Sequence, residues 1–363
     1  MIIRELKLKL NKKQIIQLNE WFNILTSIYN WGLRKIELNA KDKIYFSSFD
    51  FRNLLANHCK KLNIPSHTIQ TILLQSYKAW RRCFKKLSKK PKFKSNRNKL
   101  NSIPFSDTFK EPKDNRITIP LLGKVKYYKQ DLPNGKIKCG RIIHRPSGWY
   151  LLLWIDTIHK FQVKETNKSI GIDLGFNHLL TLSNGIKIEN PRELRKGQER
   201  LSQAQRGRKN KLSTRLLERQ ANRRNDRNHK ISRWLVENYN TIYYPKDNLN
   251  NISKKFGKSI QEASLGKLIA MVNYKVAVQA DRKAISVESN YTTMTCSVCG
   301  SKTGPTGLDG LKVRDWVCSV CGTHHDRDVN SACNILNLGL GCNLKSLVTE
   351  KLTEMSDDNI NFF

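Results

Sequence analysis

The sequence predicts an α/β protein that also carries an antiparallel β-barrel or sheet. Three observations predict it. Residues 12–38 place Ile15, Ile16, Leu18, Trp21, Phe22, Leu25, Ile28, Tyr29 and Leu33 at helical spacing. Residues 101–163 break into short strands separated by Gly- and Pro-containing turns. From Ser169 a strand, a glycine corner, a second strand and an Asn184-Gly185 hairpin lead into long helical segments.

The elements follow in order. Residues 1–10 alternate apolar and charged side chains and read as a strand. After the helix at 12–38, a second helix is expected from Phe49 to Leu62 and a third from Ser66 to Leu87, with Ser66 as its cap after Pro65. Residues 76–99 hold eleven Lys/Arg and no acid, interleaved with Tyr77, Trp80, Phe84 and Phe93. Such rings either stack on bases or belong to the core while the charges grip phosphates. In 101–163 the turns Pro133-Asn134-Gly135 and Pro146-Ser147-Gly148 separate the strands. A long basic helical region spans 192–237, with fifteen Lys/Arg between Arg192 and Arg233 against four acids. Its apolar face is expected to carry Leu212, Leu216, Ala221 and Trp234. The remainder either is solvated or faces nucleic acid. A strand at 241–244, a helix at 259–283 and a strand at 284–289 come next. Residues 346–363 read as a weakly ordered tail.

The charge balance sets the partner class. Across 363 residues, 66 Lys+Arg against 30 Asp+Glu give +36. A chain so charged repels itself unless a polyanion neutralises it, and phosphate contacts make nucleic acid the expected partner. The N-terminus has no apolar signal-peptide core, and the longest apolar run, Trp149 to Ile155, is too short to span a bilayer. A membrane partner is not expected. Nine cysteines without a secretion signal point to metal binding or free thiols, and to a cytoplasmic, nucleoid-associated location.

Two C-x-x-C knuckles, Cys296/Cys299 and Cys318/Cys321, are separated by residues 300–317. Each knuckle presents two thiolates to one ion, and four together close a structural Zn²⁺ site. Cys59, Cys83, Cys139, Cys333 and Cys342 lack that spacing and read as buried or incidental thiols. Asp173 ends an apolar strand in GIDLG. Asp326 and Asp328 open a helix directly after the second knuckle, with Val329, Ala332, Ile335 and Leu336 facing inward. Carboxylates from separate elements can hold Mg²⁺ ions that activate water.

The chain resembles the TnpB family of transposon-encoded RNA-guided proteins. LNKKQIIQLNEWFNILTSIYNWGL resembles the N-terminal helical motif, and KPKFKSNRNKLNSIPF the basic segment before the barrel. IGIDLGFNHLLTLSNG resembles the first RuvC motif, and WVCSVCGTHHDRDVNSACNIL the zinc ribbon with the third. The resemblance implies an RNase H-like RuvC domain with an inserted zinc ribbon, an N-terminal helical recognition domain and a wedge-like β-barrel. The implied layout is 1–10 first strand of the wedge barrel, 11–100 recognition domain, 101–165 barrel, 166–290 the RuvC segment before the insertion, 291–325 zinc ribbon, 326–345 the RuvC segment after it and 346–363 tail.

The resemblance also implies an Asp, Glu, Asp catalytic triad, a guide RNA, and a double-stranded DNA target with an adjacent motif, one protein chain per guide. The first and third acids map onto Asp173 and Asp328. The second motif departs from the pattern. Counted from the strand, the glutamate falls on Pro245; counted back from Leu249, it falls on Asp247. Lys246 is expected to place a cation where Mg²⁺ would sit. Two outcomes lead: a nuclease-dead, guide-directed transcriptional repressor like the TldR derivatives, or an active endonuclease that uses Asp247 and needs Mg²⁺. A guide-free DNA-binding protein or an inert transposon relic is the third. Nucleic-acid contacts are expected from Arg81, Arg82, Lys85, Lys86, Lys89, Lys92, Arg208, Arg215, Arg219, Arg223, Arg224 and Arg227.

Overall fold

A computed structural model describes residues 1–55, 61–95, 98–106, 109–157, 163, 165–246, 249–306, 310 and 312–341; of 249–255 only the backbone is described. Asp247, Cys59, Cys342 and the tail at 346–363 lie outside the described residues. The chain divides into two compact units, Met1–His159 and Lys160–Phe363.

In the first unit, β1 (Ile2–Lys9) leads into α1 (Lys12–Lys41). The turn between them is fixed by a capping box: Asn11 Oδ1 accepts from the Gln14 N–H, and Gln14 Oε1 from the Asn11 N–H. Next come α2 (Ser48–Asn53) and α3 (Ser66–Phe84). Two expectations change here. The second helix stops at Asn53 rather than reaching Leu62. The third begins after Pro65 without a side-chain cap, so Ser66 is its first helical residue. Gly32 lets α1 and α3 meet, since a Cβ there would lie 2.3 Å from Ser76 Oγ.

Strands β2 (Ser102–Phe105), β3 (Arg116–Ile119), β4 (Gly123–Tyr127), β5 (Lys136–Arg145) and β6 (Gly148–Asp156) join β1 in one antiparallel sheet of order β2-β5-β6-β1-β4-β3. The alternation in β6 buries Trp149, Leu151, Leu153 and Ile155. The buried rings meet those of α1: Trp21 packs 6.3 Å from Phe105, and Phe22 stacks 5.7 Å from Trp149.

The second unit is built on a mixed sheet of order β11-β10-β7-β8-β9. Its strands are β7 (Ser169–Leu174), β8 (His178–Leu182), β9 (Lys187–Glu189), β10 (Thr241–Pro245) and β11 (Lys283–Val287). β7, β10 and β11 run parallel; β8 and β9 run antiparallel to their neighbours. Between β9 and β10 lie α4 (Glu193–Lys196), α5 (Gln198–Arg206) and α6 (Asn210–Asn238). Gly197 and Gly207 break the helical region that the sequence suggests is continuous.

The helix expected at 259–283 is two helices, α7 (Leu249–Ala263) and α8 (Leu265–Val276). They are parted by Ser264 in the left-handed region at φ 57°. A hairpin of β12 (Asp315–Val317) and β13 (His324–Asp326) then leads into α9 (Arg327–Leu340). Ile170 and Ile172 share a core with Ile231 and Leu235 of α6 and with Leu268 and Val272 of α8. The alternate residues of β7 face α9.

Candidate functional site

The carboxylates are placed by the packing of α9 on β7. A Cβ on Gly171 would lie 2.2 Å from the Ala332 carbonyl oxygen and 2.7 Å from the Leu336 nitrogen, so only glycine admits the helix at this distance. Asp173 stands two residues on, on the same face of the strand. Ser331 of α9 donates to Asp173 Oδ1 at 2.9 Å and shares a hydrogen bond with Thr292 at 3.1 Å. The helix starts on Asp326, whose Oδ1 accepts from the Asp328 and Val329 N–H groups, both at 3.0 Å. Burial acts to raise the Asp326 pKa, but Lys187 at 2.5 Å and those two N–H donors outweigh it and hold the carboxyl below its ordinary range.

Asp328 sits in the first turn. Arg314 Nη1 lies 2.8 and 3.0 Å from its two oxygens, and His178 Nδ1 lies 4.0 Å away. Asp328 therefore faces a guanidinium and an imidazole. The buried side of α9 is also more polar than the sequence suggests: Asn330, Ser331 and Asn334 are buried with Ala332 and Ile335, while Val329 and Leu336 are half-buried.

The β7–β10 register is fixed as far as Gly171, two residues short of Asp173. β10 pairs with β7 through Thr241↔Ser169, Ile242↔Ile170 and Tyr243↔Gly171. Continued two residues along both strands, that register sets Pro245 opposite Asp173. Tyr243 faces α9, because a Cβ on Gly339 would lie 2.1 Å from its ring. Pro245 shares that face by the strand's period of two. On that continuation β10 itself offers a pyrrolidine ring and no carboxylate beside Asp173. Lys246 turns the other way. Its N–H donates to the Val287 carbonyl, and its ammonium pairs with Glu288 at 2.8 Å, both side chains about two-thirds exposed. The expectation that Lys246 occupies the ion position is corrected: its ammonium is held in an exposed pair by Glu288, the residue after β11. Among the described residues, Asp173 and Asp328 belong to no group of three metal-ligating side chains.

The four knuckle cysteines do form such a group, with all sulfurs within 4.8 Å of one another. Gly300 and Gly322, each directly after the second cysteine of a knuckle, take φ values of 76° and 71°. This left-handed step lets each knuckle fold back on itself, with the Gly300 N–H on the Cys296 carbonyl and the Gly322 N–H on that of Cys318. Cys296 and Cys321 sulfurs are 3.7 Å apart, and those of Cys299 and Cys318 3.6 Å. A tetrahedral ion with metal–sulfur bonds of about 2.3 Å needs sulfurs about 3.8 Å apart, so the donors fit one ion.

Hydroxyls of Ser301 and Thr303 push the Cys318 thiol down to about 5, while burial pushes Cys296 up to about 12. His325, tilted against Trp316 with ring centres 4.7 Å apart, lies 3.0 Å from Cys296. Asn330 and Asn334 donate to the carbonyls of Thr292 and Thr295, tying the first knuckle to α9. Elsewhere, Cys333 is pushed up to about 11 by burial, and Cys139 is also raised by burial, as expected of packed thiols.

Residues 155–255 match a family model described as "Probable transposase" (OrfB_IS605), and residues 266–335 match one described as "Cas12f1-like, TNB domain". A protein of Streptomyces pristinaespiralis named as an RNA-guided DNA endonuclease is 31% identical over 297 residues, spanning 76% of this chain and 72% of that protein. This chain belongs to the TnpB family. InsQ of Escherichia coli (strain K12), also named as an RNA-guided DNA endonuclease, is 26% identical over 76% of this chain and 75% of its own. Of the solved structures, a Cas12f1-sgRNA-target DNA complex aligns with a TM-score of 0.35 at 18% identity, covering 93% of this chain and 99% of that chain.

The basic side chains of this TnpB-family chain divide into two kinds. Arg81, Arg82, Lys85, Lys86, Lys89 and Lys92 are all exposed at the end of α3 and beyond it. Of the interleaved rings, Trp80 is buried and Tyr77 half-buried, whereas Phe84 and Phe93 are about half exposed. On and before α6, Arg208, Arg215, Arg219 and Arg223 are exposed, and Arg224 is half-buried.

Arg227 is different, and its expected role is corrected. It is 2% exposed, pairs with Glu193 at 3.1 Å and donates to the Ala263 carbonyl at 2.8 Å. Burial lowers its pKa and Glu193 opposes that. The buried stripe of α6 is Ser213, Gln220, Arg227, Ile231 and Leu235; of the predicted face, Leu216, Ala221 and Trp234 flank it half-buried, Trp234 against the core, and Leu212 is exposed. Arg314, His178 and Ser331 were not marked by the sequence. Only Ser331 carried a signal, standing one helical turn after Asp328.

Proposed function

We propose that this chain is an RNA-guided DNA-binding protein with a disabled cutting site, acting as a guide-directed transcriptional repressor. One observation carries the reading: the β7–β10 register, continued from Tyr243↔Gly171, sets Pro245 opposite Asp173 on the face that meets α9, where a third ion ligand is needed. Two carboxylates without a third hold divalent ions weakly, and two-ion phosphodiester cleavage requires both ions. Arg314 further supports it, since its charge already compensates Asp328.

The sheet order supports an RNase H-like RuvC domain, with the cysteine hairpin as a Zn²⁺ ribbon preceding the third motif. Thiolate-only tetrahedral sites favour zinc. That ion is structural and takes no part in bond cleavage. The six-stranded sheet with β1 supports a wedge-like barrel, and α1 to α3 a recognition domain. The relatives' names support guide RNA and target DNA as partners. The exposed cations at 81–92 and 208–223 offer the phosphate contacts.

The first test is guided binding. Protein expressed with its native flanking DNA is purified, and its RNA is sequenced. A discrete guide-bearing RNA and specific binding of matched duplex are expected. Absence of a discrete RNA, with equal binding to all duplexes, would instead show a guide-free DNA-binding protein.

A further inference from the structure

A cleft of about 360 Å³ lies between α4, α5 and α6 and has no part in the carboxylate site. It falls in the size range of small-molecule sites. Leu216, Arg219, Gln220 and Arg223 line it at i, i+3, i+4 and i+7, as one stripe of α6. Lys196 and Arg200 complete its rim.

Two independent features point to an occupant. Lys196, Arg200, Arg219 and Arg223 are all exposed, and none pairs with a carboxylate among the described residues. The one acid in the lining, Glu193, is already bound to Arg227. Four like charges around one cleft raise the free energy until an anion neutralises them. The floor asks for something else. Gln220 is 7% exposed, and its Oε1 is buried without a hydrogen-bond partner. A buried acceptor left unpaired is costly, and the terminal torsion of glutamine is soft enough to turn it toward a donor. Leu216 and Pro191 add an apolar wall.

Anion, N–H donor and apolar face coincide in one ligand class. We propose that this cleft holds a single unstacked nucleotide of an RNA strand. Its base lies against Leu216 with an amino group on Gln220 Oε1, and its flanking phosphates lie on Arg200, Arg219 and Arg223. Unstacked bases are the elements by which RNA is recognised by sequence. The inference deepens the guide-RNA reading above and rests on it.

The test uses the full-length protein with its co-purified RNA. Photo-crosslinking with mass spectrometry identifies the nucleotide joined to the peptide bearing Leu216 and Gln220. RNA lacking only that base is then compared with intact RNA, on wild type and on Gln220→Leu. Removing the base is expected to weaken wild-type binding about tenfold and to add nothing further in Gln220→Leu. Because Gln220 is buried, Leu216→Asn on the half-exposed wall is run in parallel and must show the same coupling. Arg219→Ala with Arg223→Ala should lower the slope of log affinity against log salt by about 1.4.

No adduct on this stripe, or a base whose removal leaves wild-type binding unchanged, overturns the proposal. So do additive effects, even where the arginine variant binds weakly, because the cleft is then a phosphate contact only. If no discrete RNA co-purifies, the guide-RNA reading itself fails, and the cleft with it.

Discussion

Replacing Arg227 with methionine separates a core role from a nucleic-acid role. Arg227 is 2% exposed, and its guanidinium ties α4 to α6 through Glu193 and reaches the end of α7 through the Ala263 carbonyl. Arg227→Met leaves Glu193 without its buried partner and one carbonyl without its donor. Breaking a buried pair from one side costs about 3–5 kcal/mol, at least about a fifth of the roughly 5–15 kcal/mol that holds a typical domain. Arg223→Met, one helical turn earlier and exposed, should change stability by less than about 0.5 kcal/mol while weakening RNA binding. Removing both charges, as Arg227→Met with Glu193→Leu, should recover some of the loss, because an apolar pair leaves no orphaned charge.

The assay is hydrogen exchange of α6 and α7 amides beside a denaturant titration. RNA affinity is measured on folded protein. If Arg227→Met keeps wild-type protection and loses RNA affinity as Arg223→Met does, the side chain faces nucleic acid, and its assignment to the core is wrong.

Other outcomes follow from single contacts. Cys318→Ser, or a strong chelator on the wild type, should lower the thermal midpoint and expose the β12–β13 hairpin to exchange; an unchanged midpoint would argue against a structural ion. Gly171→Ala drives a methyl into the backbone of α9 at 2.2 Å, so it should destabilise the second unit by several kcal/mol, on the order of 3. Wild-type exchange behaviour in that variant would show that α9 packs elsewhere. Burial pushes Lys275 down to about 8 from 10.5, so between those pH values the unfolded chain holds a proton the folded chain lacks. Stability should therefore rise as pH climbs through that window, by at most about 3 kcal/mol. Lys275→Met should flatten the rise and stabilise the protein at pH 7; an unaltered slope assigns it to another group.

Features with short sequence range were legible. The two knuckles are complete within their own residues, although the left-handed steps at Gly300 and Gly322 were not read from the sequence. Asp173 and Asp328 were legible because each ends or begins a strongly patterned element. The rest depended on pairing across long separations. Counting along the chain placed the missing glutamate on either Pro245 or Asp247. The β7–β10 register, fixed up to Gly171, favours Pro245 when continued two residues further.

The buried face of α6 was read only in part, at Trp234, because its stripe is largely polar, with Ser213, Gln220 and Arg227. Arg227 is buried by two glutamates, 34 and 35 residues away in opposite directions, and no local pattern marks such a pairing. The Arg314–Asp328 pair likewise joins the loop before β12 to the first turn of α9.

The central claim is guided binding without a cut. The direct measurement offers matched target duplex and Mg²⁺ to the purified protein–RNA complex, and follows footprint and strand integrity in the same sample. A stable, guide-dependent footprint on intact DNA is predicted, unchanged by Mg²⁺ or Mn²⁺. Guide-dependent cleavage that disappears on Asp247→Ala would contradict it and establish an active nuclease.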